Sequence, residues 1–276
     1  MPPPRFLSYA QNLEDILLWR GLQHVRGGCY IDVGANDPRG DSVSRGFYEQ
    51  GWRGVHFEPH PLFAAKLRQD RPDETVHEVA LSDTTGTLRF LLMKDVGLST
   101  GASEYAEQYR QAGLVVEERD VVMTTLEQAC AHLAGRDVHW MKIDVEGMED
   151  KVLRGWNPRT LRPWVIVVEA TRPNSTEPSH QAWEPLLVGA GYRFVLFDGL
   201  NRFYVANERP EIATAFTAPV NVHDLLNGCE IHRMSPYASP AVARVTEMYE
   251  SSATWRWTRP LRQLAQIVAR AGARRA

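Results

Sequence analysis

Four short apolar runs, each halted by a glycine, a proline or a carboxylate, constrain this chain more than any other feature. Residues 29–33 stop at Gly34, residues 54–58 end in Glu58 before Pro59, residues 138–144 end in Asp144, and residues 163–169 end in Glu169. All are rich in β-formers and too short to be helices, and the segments between them carry helical apolar spacing or turn residues. Such an alternation predicts a mostly parallel sheet with helices on both faces, the α/β class. With 276 residues, 43% of them hydrophobic, the chain has the material for one large core.

The remaining elements fill in the same pattern. A helix is expected over 9–22 with Ser8 as its N-cap, and others over 41–50, 61–69, 124–134, 147–155 and 179–189. Further strands are expected near 75–80, 87–93, 114–122, 192–197 and 202–206, the last two joined by the hairpin turn Asp198-Gly199-Leu200-Asn201. Residues 94–113 read as a polar excursion. Domain boundaries of 1–228 for the α/β body and 229–276 for a helical basic tail follow from the change in character near residue 229. Beyond Ser251 the tail holds Arg256, Arg259, Arg262, Arg270, Arg274 and Arg275 and no acid. Leu261, Leu264, Ile267 and Val268 share a helical face there, which suits an anionic membrane surface, a docking partner, or packing on the body.

Composition excludes several classes. The chain has 31 Lys+Arg against 34 Asp+Glu, a formal charge of −3, so the body lacks the positive field that holds nucleic acid. Cys29, Cys130 and Cys229 lack metal or redox spacing and read as incidental thiols in a reducing compartment. The start of the chain lacks a secretory apolar stretch and no segment reaches the roughly 20 apolar residues of a membrane span. A cytoplasmic body, peripheral at the inner membrane face if the tail anchors it, is the expectation.

Open parallel sheets bind ligands where their strands end, and here those ends are polar. Asp32-Val33-Gly34-Ala35-Asn36 is a glycine turn that lets backbone approach a ligand, with one glycine where a pyrophosphate fingerprint has three. Glu58, about 24 residues past that turn, is placed to accept hydrogen bonds from ribose hydroxyls, and Ser82-Asp83 to meet an adenine amino group. Asp144, Glu146 and Glu169 should converge, as general base or as hard oxygen ligands for a divalent cation, magnesium or manganese, held by Asp144 and Glu169. His180 and His223 are further base candidates.

Taken together these residues resemble the FkbM family of methyltransferases, including the subgroup associated with polysaccharide gene products. The likeness spans about Tyr9 to Gly228 and rests on Gln11 with Glu14-Asp15, the Asp32 to Asn36 turn with Ser42 or Ser44, Gly51-Trp52-Arg53-Gly54 through Glu58-Pro59, Ala80-Leu81-Ser82-Asp83, Lys142-Ile143-Asp144-Val145-Glu146-Gly147 with Glu149, and Val168-Glu169. Pro38 departs from the glycine common in relatives. The resemblance implies a class I, Rossmann-like, seven-stranded methyltransferase fold with S-adenosylmethionine as donor. It further implies that Gln11, Asp32, Gly34, Asn36, Ser42, Glu58, Ser82, Asp83 and Asp144 serve the cofactor. An O-methyltransferase acting on a sugar of a bacterial surface glycan is the expected function, with Asn174, Asn201, Arg202 and Tyr204 meeting the acceptor. Two rivals are weighed against it: a nucleotide-dependent oxidoreductase on the same sheet, and a non-catalytic glycan-assembly scaffold acting through the tail.

Overall fold

The computed structural model describes residues 5–93, 99, 101–102, 115–173 and 175–232. Most of the expected 94–113 excursion, Asn174 and the basic tail lie outside these residues. Its centre is a seven-stranded sheet built from β2 (Cys29–Val33), β3 (Arg53–Phe57), β4 (Thr75–His77), β8 (Trp140–Ile143), β9 (Val165–Glu169), β10 (Tyr192–Phe197) and β11 (Asn201–Ala206). The order across it is β10-β11-β9-β8-β2-β3-β4, with β2, β3, β4, β8 and β9 pairing in parallel and β11 antiparallel to both its neighbours. Crossovers from β2 run outward to β3 and β4, and the chain then returns to lay β8 on the other flank of β2. The β2/β8 boundary is therefore the switch point at which such sheets open a ligand crevice.

Strand alternation gives each face its own core. Ile31, Val33, Met141, Ile143, Ile166 and Val168 pack on one side with Leu126, Val152 and Leu187. Tyr30, Trp140, Val165 and Val167 pack on the other with Ile16, Leu17, Phe47 and Phe203. Tyr30 and Trp140 stack across the sheet with centroids 4.6 Å apart, worth about 0.5–1.5 kcal/mol beyond their buried area. Asp32, Lys142 and Glu169 alternate onto this second face, so apolar strands carry single polar residues into a buried layer.

Three expectations change. Helix α1 (Glu14–Leu22) does not begin at residue 9, because Leu13 is left-handed (φ 63°) and the preceding loop is wound around Asp15. Ser8 is not its cap: its hydroxyl donates to Asp15 at 2.6 Å, and the Tyr9 and Ala10 amides donate to the same carboxyl. The single strand expected near 75–80 divides into β4 and β5 (Ala80–Ser82), and β5 leaves the central sheet to pair with β7 (Val115–Thr125) beside β6 (Gly86–Met93). The 124–134 helix shrinks to Leu126–Ala129 and one 3-10 turn.

Two short strands escape the sequence reading. β1 (Phe6–Ser8) pairs in parallel with β12 (Cys229–Ile231), joining the two ends of the body in a register too short to show periodicity. The compact unit accordingly extends to His232, past the residue where composition shifts. Cys29, Cys130 and Cys229 are free thiols, the last two buried. Among the described residues no helix is long and apolar enough to cross a membrane.

Candidate active site

At the switch point the first crossover turns on Gly34, whose φ is +82°. A Cβ there would stand 1.8 Å from the Asp144 carbonyl oxygen, so only glycine allows the two strand ends to meet. The turn is fixed by the Gly34 amide donating to the Phe57 carbonyl at 2.9 Å and by the Asp144 amide donating to Val33 at 3.0 Å. Asn36 follows at φ 50°. Its amide donates to Glu58 Oε2 at 2.7 Å, while the His60 amide donates to Oε1 at 2.7 Å. One lone pair on each oxygen remains for a ligand. Burial pushes the Glu58 carboxyl up to about 7, against the pull of those two amides.

Gly34, Asn36 and Glu58 line a partly open cavity at the switch point, where such sheets place their small-molecule sites. Phe57, Phe63, Val79, Leu81, Phe90 and Met148 form its apolar walls, and Asp144 and Glu146 line it as well. Ser82 and Asp83 sit beside it rather than on it: the Ser82 hydroxyl donates to Asp83 at 3.1 Å, Asp83 is exposed, and Ala80 and Leu81 provide the wall. Gln11 is exposed.

Asp32 and Ser42 lie behind the turn, in a buried network that sequence reasoning passed over. Its centre is Arg71, fully buried, which donates to Pro38 O at 2.7 Å, to Ser42 Oγ at 2.9 Å and to Ser44 Oγ at 2.6 Å. The carbonyl of the unusual Pro38 is thus what clamps the loop after β2. His56 stands between Glu74 (2.8 Å) and Asp32 (3.7 Å). Burial opposes charge on this ring, yet the two carboxylates hold its pKa above the usual value. Burial likewise opposes charge on Asp32, and the nearby His56, Ser44 and Lys142 outweigh it, keeping that carboxyl low. A lone His inside an apolar strand and an Arg in a charged, surface-like stretch gave no motif to find.

Beyond the cavity, Asp144, Glu146 and Glu169 converge as the sequence suggests, with carboxylate oxygens within 4.8 Å of one another. Lys142, two residues before Asp144 and on the same face, donates to Asp144 Oδ2 at 2.9 Å and to Glu14 Oε1 at 3.1 Å. Burial works against the ammonium, but Asp144 and Glu14 hold it firmly charged. One lysine does not neutralise the group. Burial, with Asp144 and Glu149 beside it, pushes Glu146 up to about 9, and burial followed by the neighbouring acids raises Glu169 well above the carboxylate range. Glu149 accepts from the Val145 and Gly147 amides at 3.2 and 3.1 Å and holds the loop that carries Glu146. Lys142 and Glu14 were visible in the sequence as a charged residue inside an apolar strand and an acid opening a helix, but only packing joins them.

The suggested acceptor residues separate. Asn201 is fully buried and directly opposite Glu169, with its amide nitrogen on Asp198 Oδ2 at 3.2 Å and Oδ1 without a hydrogen-bond partner. Arg202 and Tyr204 alternate to the other face, where both bind Glu184 Oε1, at 2.7 and 2.8 Å. His180 lies 3.9 Å from the same Glu184, and His223 is exposed on the helix Val222–Leu226, so neither histidine joins the carboxylates.

A parallel sheet closed by one reversed strand, with a glycine turn at its switch point and an acid ending the next strand, is the class I fold of S-adenosylmethionine-dependent methyltransferases. Residues 32–194, more than half the chain, match the methyltransferase FkbM domain. The chain belongs to that family, which assigns it methyl transfer rather than hydride transfer. No curated protein matches it in sequence. Among solved structures it is similar to a TehB-like SAM-dependent methyltransferase from Corynebacterium glutamicum (9% identity, 72% of this chain and 89% of that one, TM-score 0.37). It is also similar to an O-methyltransferase from Bacillus cereus in complex with SAH (13%, 74% and 84%, 0.38) and to Aeropyrum pernix fibrillarin with bound S-adenosyl-L-methionine (14%, 71% and 76%, 0.35). The assignment rests on the sheet order and the family match.

Proposed function

We propose that the protein transfers a methyl group from S-adenosylmethionine to a sugar hydroxyl, within a bacterial surface polysaccharide or related glycan. The observation that carries this reading is the convergence of Asp144, Glu146 and Glu169 at the cavity, with the unsatisfied Asn201 Oδ1 beside Glu169. Buried acceptors of this kind call for a ligand that brings donors, and hydroxyls are donors that also have a proton to lose. In the reaction the acceptor oxygen forms a bond to the methyl carbon as the carbon–sulfur bond breaks. The sulfonium leaves as a neutral thioether and the hydroxyl proton passes to a carboxylate. Alignment of oxygen, methyl and sulfur supplies most of the rate, and proton removal the rest.

A divalent cation, magnesium or manganese, suits the same donor set, since all its atoms are carboxylate oxygens. Asp144 and Glu169 would hold it, with Glu146 as third ligand, and it would acidify a bound hydroxyl. The basic tail, 251–276, would keep the enzyme at the cytoplasmic face of the membrane or on an assembly partner. Incubation with donor and surface-glycan fragments, with and without chelator, should yield products heavier by one methyl. Methylation of protein or small amines but not of glycans would overturn the reading.

Glu58 is assigned to the ribose, and the sign of its titration follows. Its pKa in the folded chain, about 7, exceeds the ordinary 4.5, so the neutral form favours folding and that contribution is lost as pH rises from the lower value through the upper. Ribose hydroxyls need the ionised form. The affinity for S-adenosylhomocysteine should therefore rise about tenfold from pH 6 to pH 8, following the ionised fraction. Calorimetry on Glu58→Gln should give weaker binding with a flat profile over that range.

A further inference from the structure

In a regular strand, residues three apart face opposite ways. Phe194 and Phe197 of β10 do not. The register against β11 slips between Phe194 and Leu196, so that Phe194 stands opposite Tyr204, Leu196 opposite Phe203 and Phe197 opposite Arg202. Paired residues share a face, and the bulge therefore turns both phenylalanines to the side of Arg202 and Tyr204. Each ring is 42% exposed, on a strand at the edge of the sheet.

Polar groups are interleaved with these rings. The Arg202 guanidinium covers Phe194 at 3.8 Å from its centroid. Its Nε donates to Tyr204 Oη at 2.9 Å and its NH2 to Glu184 Oε1 at 2.7 Å. Bulges that re-aim side chains recur next to functional sites. The methyl-transfer centre leaves this cluster unused, because Asn201, the preceding residue, points to the opposite face beside Glu169. Aromatic faces take the C–H side of a sugar ring, while a planar guanidinium and carboxylate match adjacent hydroxyls. A site for a purely apolar partner would not carry a buried-edge ion pair among its rings.

We propose that Phe194 and Phe197, with Arg202 and Glu184, form a second sugar subsite that holds one pyranose unit of an oligosaccharide while another unit is methylated. The inference rests on the glycan acceptor proposed above. Phe197 lies opposite Arg202, and the next residue along, Asn201, lies opposite Glu169, so the subsite and the acids occupy the two faces at one sheet edge, which an oligosaccharide passing over that edge reaches and a single sugar does not.

The test uses the full chain and size-graded fragments of a capsular polysaccharide, from monosaccharide to tetrasaccharide. The variant is Phe194→Ser with Phe197→Ser, checked by thermal midpoint and by its affinity for S-adenosylhomocysteine, which should stay within about twofold because both rings lie on the far face. With wild type, saturation-transfer NMR should show tetrasaccharide binding, and KM should be lower for tetrasaccharide than for monosaccharide. In the double variant the tetrasaccharide KM should rise at least about tenfold, the scale of a lost aromatic contact, and the preference for the longer fragment should disappear. Methylation of glycans with the length preference intact in the variant would overturn this subsite alone. A wild-type dimer that the variant converts to monomer, again with the preference intact, would assign the ledge to a second copy instead. Glycans neither bound nor methylated, by a protein that still binds S-adenosylhomocysteine, would overturn the glycan acceptor itself.

Discussion

Asp144→Asn should lower turnover by about 10³ while the Kd for S-adenosylhomocysteine moves by less than about threefold, the separation expected of a residue that manages a proton. Asp144 lines the cavity and lies against Lys142, 2.9 Å from its ammonium. The substitution keeps the shape, and the amide oxygen still accepts from Lys142. What disappears is the negative charge, and with it one of the two carboxylates that line the cavity beside Glu58. Among the described residues Lys142 then keeps Glu14 as its ion-pair partner. Single-turnover transfer of labelled methyl, beside calorimetry with the demethylated product, separates the two effects. A fall in cofactor affinity as large as the fall in turnover would make Asp144 a donor-binding group and not the proton acceptor.

Gly34→Ala should be more damaging still, because it removes the fold at its crossing point. The added methyl would lie 1.8 Å from the Asp144 carbonyl oxygen, a backbone atom tied into the sheet, and the residue would be left at φ +82°. Strain of about 1–3 kcal/mol for a left-handed non-glycine and a further 1–3 kcal/mol for overpacking together remove a large share of the roughly 5–15 kcal/mol that stabilises an ordinary domain. Chemical denaturation should show a loss of about 3–5 kcal/mol, or no folded protein. A variant of wild-type stability would mean that the two strand ends separate more easily than their hydrogen bonds suggest.

The central sheet was legible because its strands are continuous apolar runs with sharp ends, and a strand buried on both faces leaves that signature. The glycine turn, Glu58 and the three converging carboxylates were legible for a related reason: parallel topology gathers strand ends on one edge, so end residues predict a site without knowledge of contacts. What stayed hidden was set by long-range geometry. Lys142 reaches Glu14 across 128 positions of chain. Arg71 clamps the loop after β2 from 33 positions away. Strand alternation alone parts Arg202 and Tyr204 from Asn201, but the bulge in β10 brings Phe197 onto the face of Phe194, a change no periodicity announces. The short β1/β12 pair is invisible for want of length.

Fold class alone does not fix an activity; here the account depends on a cavity lined by Gly34, Asn36 and Glu58 together with Asp144 and Glu146. The most direct test is a calorimetric titration of the purified chain with S-adenosylhomocysteine at pH 8. A saturable one-to-one isotherm with micromolar Kd, weakened at least tenfold in Glu58→Ala as expected when a charged hydrogen-bond acceptor is lost, is the result predicted. An absence of heat and of thermal stabilisation with both this product and the sulfonium donor, in protein shown to be folded, would contradict the account.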